Sequence, residues 1–251
     1  MPFVPAAFVT APFVSVLHSE WLKIRTLRSL VAGLGAAVLV TAAFSALAGL
    51  DTSGDADSDP LFSAFFGVSF GQIAMIAFGT QAMASEFRGG ALRTSLAAVP
   101  RRGRWFAAKT VAVGVSALVA GLLTGCASLA AGRAALGDRA GATSWSEGLR
   151  AIVGCGVYLA LMALFAAGLT ALLRSGVATL SILVPFLLLV SFVVGDMSGN
   201  VADLLPDRAG QVVLHQTWDG MLGPWTGLGV TAVWTSAALV AGTWSIRRRD
   251  A

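Results

Sequence analysis

A helix crossing the ~30 Å hydrocarbon core of a bilayer at 1.5 Å per residue needs ~20 apolar residues. The chain holds six runs of that kind, at 29–50, 61–85, 105–131, 151–173, 175–194 and 221–246. Lipid offers nothing to satisfy a bare backbone, so each run is expected to fold as a helix. Lys109 is the one charged residue in any of them, and it lies close enough to the start of its run that its long stem is expected to snorkel to water. With 12% charged residues, against about a quarter in soluble domains, the whole chain is too apolar for a soluble fold. The fold class expected is an all-α integral membrane protein with six transmembrane helices.

Lysine and arginine orient it. If both termini face the cytoplasm, that side holds Lys23, Arg25 and Arg28, six residues of the 86–109 loop, Arg174, and Arg247, Arg248 and Arg249. That is 13 of 17 basic residues, while ten of the 13 acids fall on the other side. The basic asymmetry fixes the orientation by the positive-inside rule and accounts for the sequence pI near 9.8. Nucleic-acid binding is set aside, because no basic stripe interleaved with aromatics occurs. The first 13 residues carry Pro2, Pro5 and Pro12 and no basic residue, which reads as an uncleaved lead-in rather than a signal peptide. Val14, Leu17, Trp21 and Ile24 then recur at helical spacing, as on an amphipathic helix lying in the cytoplasmic interface; an ordinary basic flank of the first span is the alternative. The domain division is therefore a lead-in and interfacial helix at 1–28, a transmembrane domain at 29–246, and a basic tail at 247–251.

Several local signals refine this. Ser144 and Glu147 have the spacing of a capping box that starts the fourth helix near Trp145. Pro185 predicts a kink or break in the fifth span. The outer segment 195–220 is too long for a turn, and with Val201, Leu204, Leu205, Val212, Val213 and Leu214 around Pro206 it is expected to form short helices dipping back toward the bilayer. Gly67 with Gly71, and Gly121 with Gly125, allow close helix approach, by default within one subunit. Cys126 and Cys155 are too few for a zinc site or a disulfide framework and read as small buried residues; no metal site is expected.

Chemistry is sparse. The run from Gly103 to Lys109 and Thr110 nearly fits a phosphate-binding loop, but Ala108 replaces the second glycine and no strand precedes it, so the chain itself binds no ATP. His18 and His215 fall on opposite sides, His215 with Asp219 reads as a plain loop pair, and no serine has a nearby base, so an enzyme is not expected. The span centres hold uncharged polar groups such as Gln72, Thr80, Gln81, Thr124 and Tyr158, with none of the ionisable groups an ion-coupled transporter would use. Gln72 and Gln81 lie on roughly opposite faces; each either lines a path or bonds a neighbouring helix. The 86–109 loop is richer, with six basic residues and one acid. Gly89 and Gly90 break the second helix, 91–99 forms a short helix with Leu92, Leu96 and Val99 on one face, and Pro100 ends it before Arg101, Arg102 and Arg104. A bounded helix with an apolar face suggests a docking element for a cytoplasmic partner.

The stretches SEWLKIRTLRS at 19–29, SEFRGGALRTSLAAVPRRGRWFAAK at 85–109 and the tail RRRDA resemble the permease subunits of type-2 ATP-binding-cassette transporters, especially the single-polypeptide actinobacterial kind. The middle stretch resembles the family pattern at Glu86, Phe87, Arg88, Gly90, Leu96, Pro100, Arg101, Ala108 and Lys109, and LPDRAGQ at 205–211 resembles the family's outer segment. The resemblance implies six spans with both ends inside a bacterial plasma membrane, and a re-entrant element before the sixth. It also implies a partner: a cytoplasmic ATPase in two copies that binds ATP and Mg, below a pair of permeases, either two copies of this chain or one with a homologue. By the same resemblance Trp21, Glu86, Arg88, Gly90, Leu92, Leu96, Pro100 and Arg101 couple to the ATPase, and Gln72, Phe78 and Phe186 border the substrate path. The function implied is efflux of a lipophilic or amphipathic drug, antibiotic or lipid. The rivals are an ATP-independent channel or facilitator and an assembly scaffold.

Overall fold

The computed structural model describes residues 12–50, 59–99, 101–136, 144–190, 199–218 and 220–248. They are mostly helical, with no strand among them. In chain order the helices are α1 (Phe13–Thr26), α2 (Arg28–Leu50), α3 (Pro60–Phe65), α4 (Val68–Ala84), α5 (Ala91–Ala98), α6 (Arg102–Leu136), α7 (Trp145–Leu173), α8 (Gly176–Pro185), α9 (Pro206–Gln211) and α10 (Pro224–Arg248). A tight turn of helix at Ser85–Phe87 follows α4, and others flank α9 at Gly199–Leu204 and Val212–Leu214. Five helical stretches among the described residues are long and apolar enough to cross a bilayer: Arg28–Leu50, Pro60–Phe87, Arg102–Ala135, Trp145–Leu173 and Pro224–Arg248. The chain is an all-α, membrane-embedded protein.

The expected fifth span, 175–194, is not among these five, and it is described only to residue 190. Its α-helix stops at Pro185, whose ring leaves no amide for the ladder, and the backbone widens into a π turn at Phe186–Val190. Residues 191–194 lie outside the described segments, as does Pro100, expected to end α5.

α7 is the hub. It packs on α4, α6 and α10, and α2 closes the bundle against α4 and α6. α7 starts at Trp145 as its capping box predicts: Ser144 Oγ accepts from the Glu147 amide at 3.2 Å, and the Glu147 carboxylate accepts from the Ser144 amide at 2.8 Å. The glycine pairs work within this one chain. A Cβ on Gly67 or Gly71 would strike Thr41 of α2, and Gly121 and Gly125 meet the α7 backbone at Gly156 and Ile152. Cys155 is buried as expected, but Cys126 is exposed, because its side of α6 faces out of the bundle.

At one end of the bundle, called the basic end here, lie α1, the Ser85–Phe87 turn, α5, the start of α6 and the end of α10. The opposite end carries α3, α9 and the short turns beside it. The 199–214 stretch does form short helices there, and Pro206, Ala209, Val212, Val213 and Leu214 are buried against α7 and α10. Replacing Gly67 by Leu forces the side chain into the α2 backbone, and overpacking of this kind costs about 1–3 kcal/mol. The thermal unfolding midpoint in detergent is expected to fall for Gly67→Leu and to hold for Gly229→Ala, where a Cβ meets nothing.

Candidate functional site

α1 turns toward the bundle a face next to the apolar stripe that sequence assigns to the bilayer interface. Val16, Glu20 and Ile24 point inward, while Val14 and Trp21 are exposed. The cause is a carboxylate drawn into the protein. Glu20 is 1% exposed and meets Lys109 of α6, itself 1% exposed. Lys109 therefore does not snorkel to water; it stays inside and finds its partners there.

Those partners make a closed ring. Lys109 Nζ donates to Glu20 Oε2 at 2.9 Å and to Glu86 Oε1 at 2.7 Å. Lys23 Nζ donates to Glu20 Oε1 at 2.8 Å and to Glu86 Oε1 at 3.0 Å. Ser95 Oγ of α5 donates to Glu86 Oε2 at 3.2 Å, and Lys23 also reaches Ser95 Oγ at 3.4 Å. Two ammonium and two carboxylate groups alternate around the ring, and all four carboxylate oxygens accept. Moving each charge out of water costs several kcal/mol, which the ring offsets only because no member is left over. Lys23 is the member that reaches solvent, with 38% of its side chain exposed against 4% or less for the others. Burial there would lower the Lys23 pKa, but Glu20 and Glu86 outweigh it and hold the ammonium above its ordinary value.

Local structure puts each group in reach. Glu20 and Lys23 are one turn apart on α1, and Glu86 sits in the tight turn that ends α4. Gly89 and Gly90 follow with φ of 59° and 76°, left-handed values that glycine adopts without strain, and they swing α5 back so that Ser95 faces Glu86. Leu92 and Val99 are buried beside Trp105, Phe106 and Ile246, with Leu96 packed against them. The apolar face of α5, read from sequence as a docking face, is thus used inside the chain. What α5 turns outward is Arg93, Thr94, Ala97 and Ala98, flanked by exposed Arg88 and Arg101.

The expected path residues lie elsewhere. Phe78 is buried in the bundle core, Phe186 is half-buried against it, and Gln72 is buried while Gln81 is exposed. Gln72 Oε1 accepts from the Tyr158 hydroxyl, which in turn accepts from Gln211 Nε2 at 3.3 Å; Ser69 Oγ donates to Gln211 Oε1 at 3.2 Å. Gln72 therefore bonds a neighbouring helix. At the opposite end His215 pairs with Asp59, Nδ1 to Oδ2 at 3.4 Å, and stacks on Phe62; Asp219, its partner in the sequence reading, lies outside the described residues. Asp59 also caps α3 by accepting from the Leu61 and Phe62 amides, and it accepts from the Gln216 amide at 2.7 Å. Burial would raise its pKa, but His215 and these amides outweigh that and hold the carboxyl below its ordinary range.

Sequence reading named Glu86 and Lys109 but missed that they bond each other, and missed Glu20, Lys23 and Ser95 as the other members of the network. One signal was present: a lysine inside a membrane-grade run implies a buried counter-charge, and Glu20, Glu86 and Asp250 are the only acids that the charge count leaves on its side. Compared with known proteins, the chain matches no family model and no curated protein.

Removing one member of a buried ion pair costs about 3–5 kcal/mol, because its partner is stranded. Lys109→Met is expected to lower the unfolding midpoint sharply, and Lys109→Met combined with Glu20→Gln and Glu86→Gln to recover part of that loss. The melting curves of the four proteins (wild type, K109M, the E20Q/E86Q pair and the triple variant) check this.

Proposed function

We propose that the chain is the permease subunit of a type-2 ATP-binding-cassette exporter. The observation that carries this reading is the ion ring. Glu86 and Lys109 open and close the 86–109 pattern on which the family resemblance rests, and they are 2.7 Å apart. A pattern whose first and last members bond each other, and which also ties in α1 and α5, describes a mechanical joint. No nucleotide-binding motif occurs in the sequence, so in this reading the work is done on the joint from outside the chain.

In this reading the basic end faces the cytoplasm of a bacterial cell, with both termini inside and α8 with its π turn completing a sixth span. α1 lies in the interface and α5 is the coupling helix. Its outward residues, with Arg88 and Arg101, rest on an ATPase that binds ATP and Mg and is present in two copies below a pair of permeases. The buried face of α5 keeps the helix on the bundle, so a push on α5 passes through Ser95 and Glu86 to Lys109 and α6, and through Glu20 to α1. The short helices at 199–214 form the re-entrant element. Spans without buried charge at mid-membrane suit a lipophilic or amphipathic substrate moved outward.

Copurification tests this. The full-length tagged chain, extracted in mild detergent, is expected to bring down an ATPase subunit, and Arg88→Ala with Arg101→Ala to cut its recovery by about tenfold, the effect of ~1.4 kcal/mol at an interface. Both arginines are exposed, so the chain's own melting point is expected to stay unchanged. A well-folded chain that retains no ATPase contradicts the reading.

A further inference from the structure

α1 is flanked by two apolar grooves that share one wall, the Trp21 ring. The first, about 360 Å³, runs between α1, α2 and α6 and is lined by Trp21, Arg25, Val31, Gly35, Val38 and Leu123 among others. The second, about 350 Å³, lies on the other side of α1 between Leu17, His18 and Trp21 and the Val111–Val115 face of α6. Along α2 the first groove extends from Val31 to Val38, about 10 Å at 1.5 Å per residue, which stays within one ~15 Å leaflet.

Charge at these grooves is unbalanced. Arg25 is the one fully ionised side chain lining the first groove, it is exposed, and no carboxylate pairs with it among the described residues. Ser116, the other polar wall residue, donates to the Ala112 carbonyl of its own helix. The described acids at this end, Glu20 and Glu86, are both held inside the ion ring. A negative charge that complements Arg25 would come from outside those residues.

We infer that the two grooves hold the two acyl chains of one anionic glycerophospholipid, which straddles Trp21 with its phosphate at Arg25. Two apolar troughs of matching size suit two hydrocarbon tails and reject a peptide, whose backbone would find no polar partners along the walls. A tryptophan at headgroup depth between the tails, beside a cation, is the arrangement that favours an anionic lipid over a neutral one. The inference stands apart from the exporter reading, since it needs neither an ATPase nor transport.

Native mass spectrometry on the delipidated full-length chain tests it, with phosphatidylglycerol and phosphatidylcholine of identical acyl chains as probes. Phosphatidylglycerol is expected to load at a concentration about fivefold lower, the factor for one arginine beside an anionic headgroup. Arg25→Gln is expected to erase that preference. Gly35→Phe, built into space where a Cβ meets nothing, is expected to block loading of both lipids while the melting point holds. Equal loading of the two lipids, a preference that survives Arg25→Gln, or loading untouched by Gly35→Phe overturns the inference. So does a dimer that Gly35→Phe dissociates, which would make the groove a contact with a second copy.

Discussion

A lysine ammonium held at 1% exposure inside an apolar bundle needs negative charge within bonding distance, and the basic end is organised by that need. Lys109 sits two turns into α6, too deep to be satisfied from the helix's own flank. One carboxylate comes from α1 and one from the turn ending α4. Because Glu20 must point inward, α1 rolls until Trp21 and Val14 face out. Because Glu86 must stay in place, the chain has to leave α4 through two left-handed glycines, and α5 falls back onto the bundle. The ring thus helps to orient two helices, acting on α1 through Glu20 and on α5 through Ser95, beside the apolar contacts of Leu92 and Val99.

The opposite end is fastened by other means. Asp59 gathers the start of α3 and the Gln216 amide, Arg150 donates to the His215 carbonyl at 2.7 Å, and Gln72, Tyr158 and Gln211 join α4, α7 and α9 through uncharged groups. Each of these contacts is modest by itself, whereas a ring of four charges, three of them buried, strands its partners when one member is lost. The molecule therefore has one end held by many small contacts and one by a single cooperative unit. A device that must move as one body under load is better built the second way, which is why the exporter reading is placed on the ring and not on the polar groups of the spans.

Much of this architecture was legible in the sequence. Length and apolarity located the long spans, Ser144 and Glu147 located the start of α7, and Gly89 and Gly90 located the break before α5. Pro185 predicted the interruption after α8. What escaped reading was anything requiring contact between distant residues. Helical spacing on α1 ranks residues by hydropathy, so it set Trp21 on the face toward the bilayer interface and left Glu20 unmentioned. The counter-charge that overrides this ranking is 89 residues away. The same blindness made Lys109 a snorkelling residue and gave Leu92 and Leu96 an outward face, since a local pattern shows that a helix has an apolar side but not which neighbour covers it.

The central claim is that Lys109 holds α1 in place through Glu20, and amide hydrogen exchange across α1 tests it most directly. In Lys109→Met the amides of Val16 to Ile24 are expected to lose protection while those in the middle of α7, which the ring does not touch, keep theirs. Unchanged protection in α1 would show that its apolar contacts suffice without the ring, and would contradict the account.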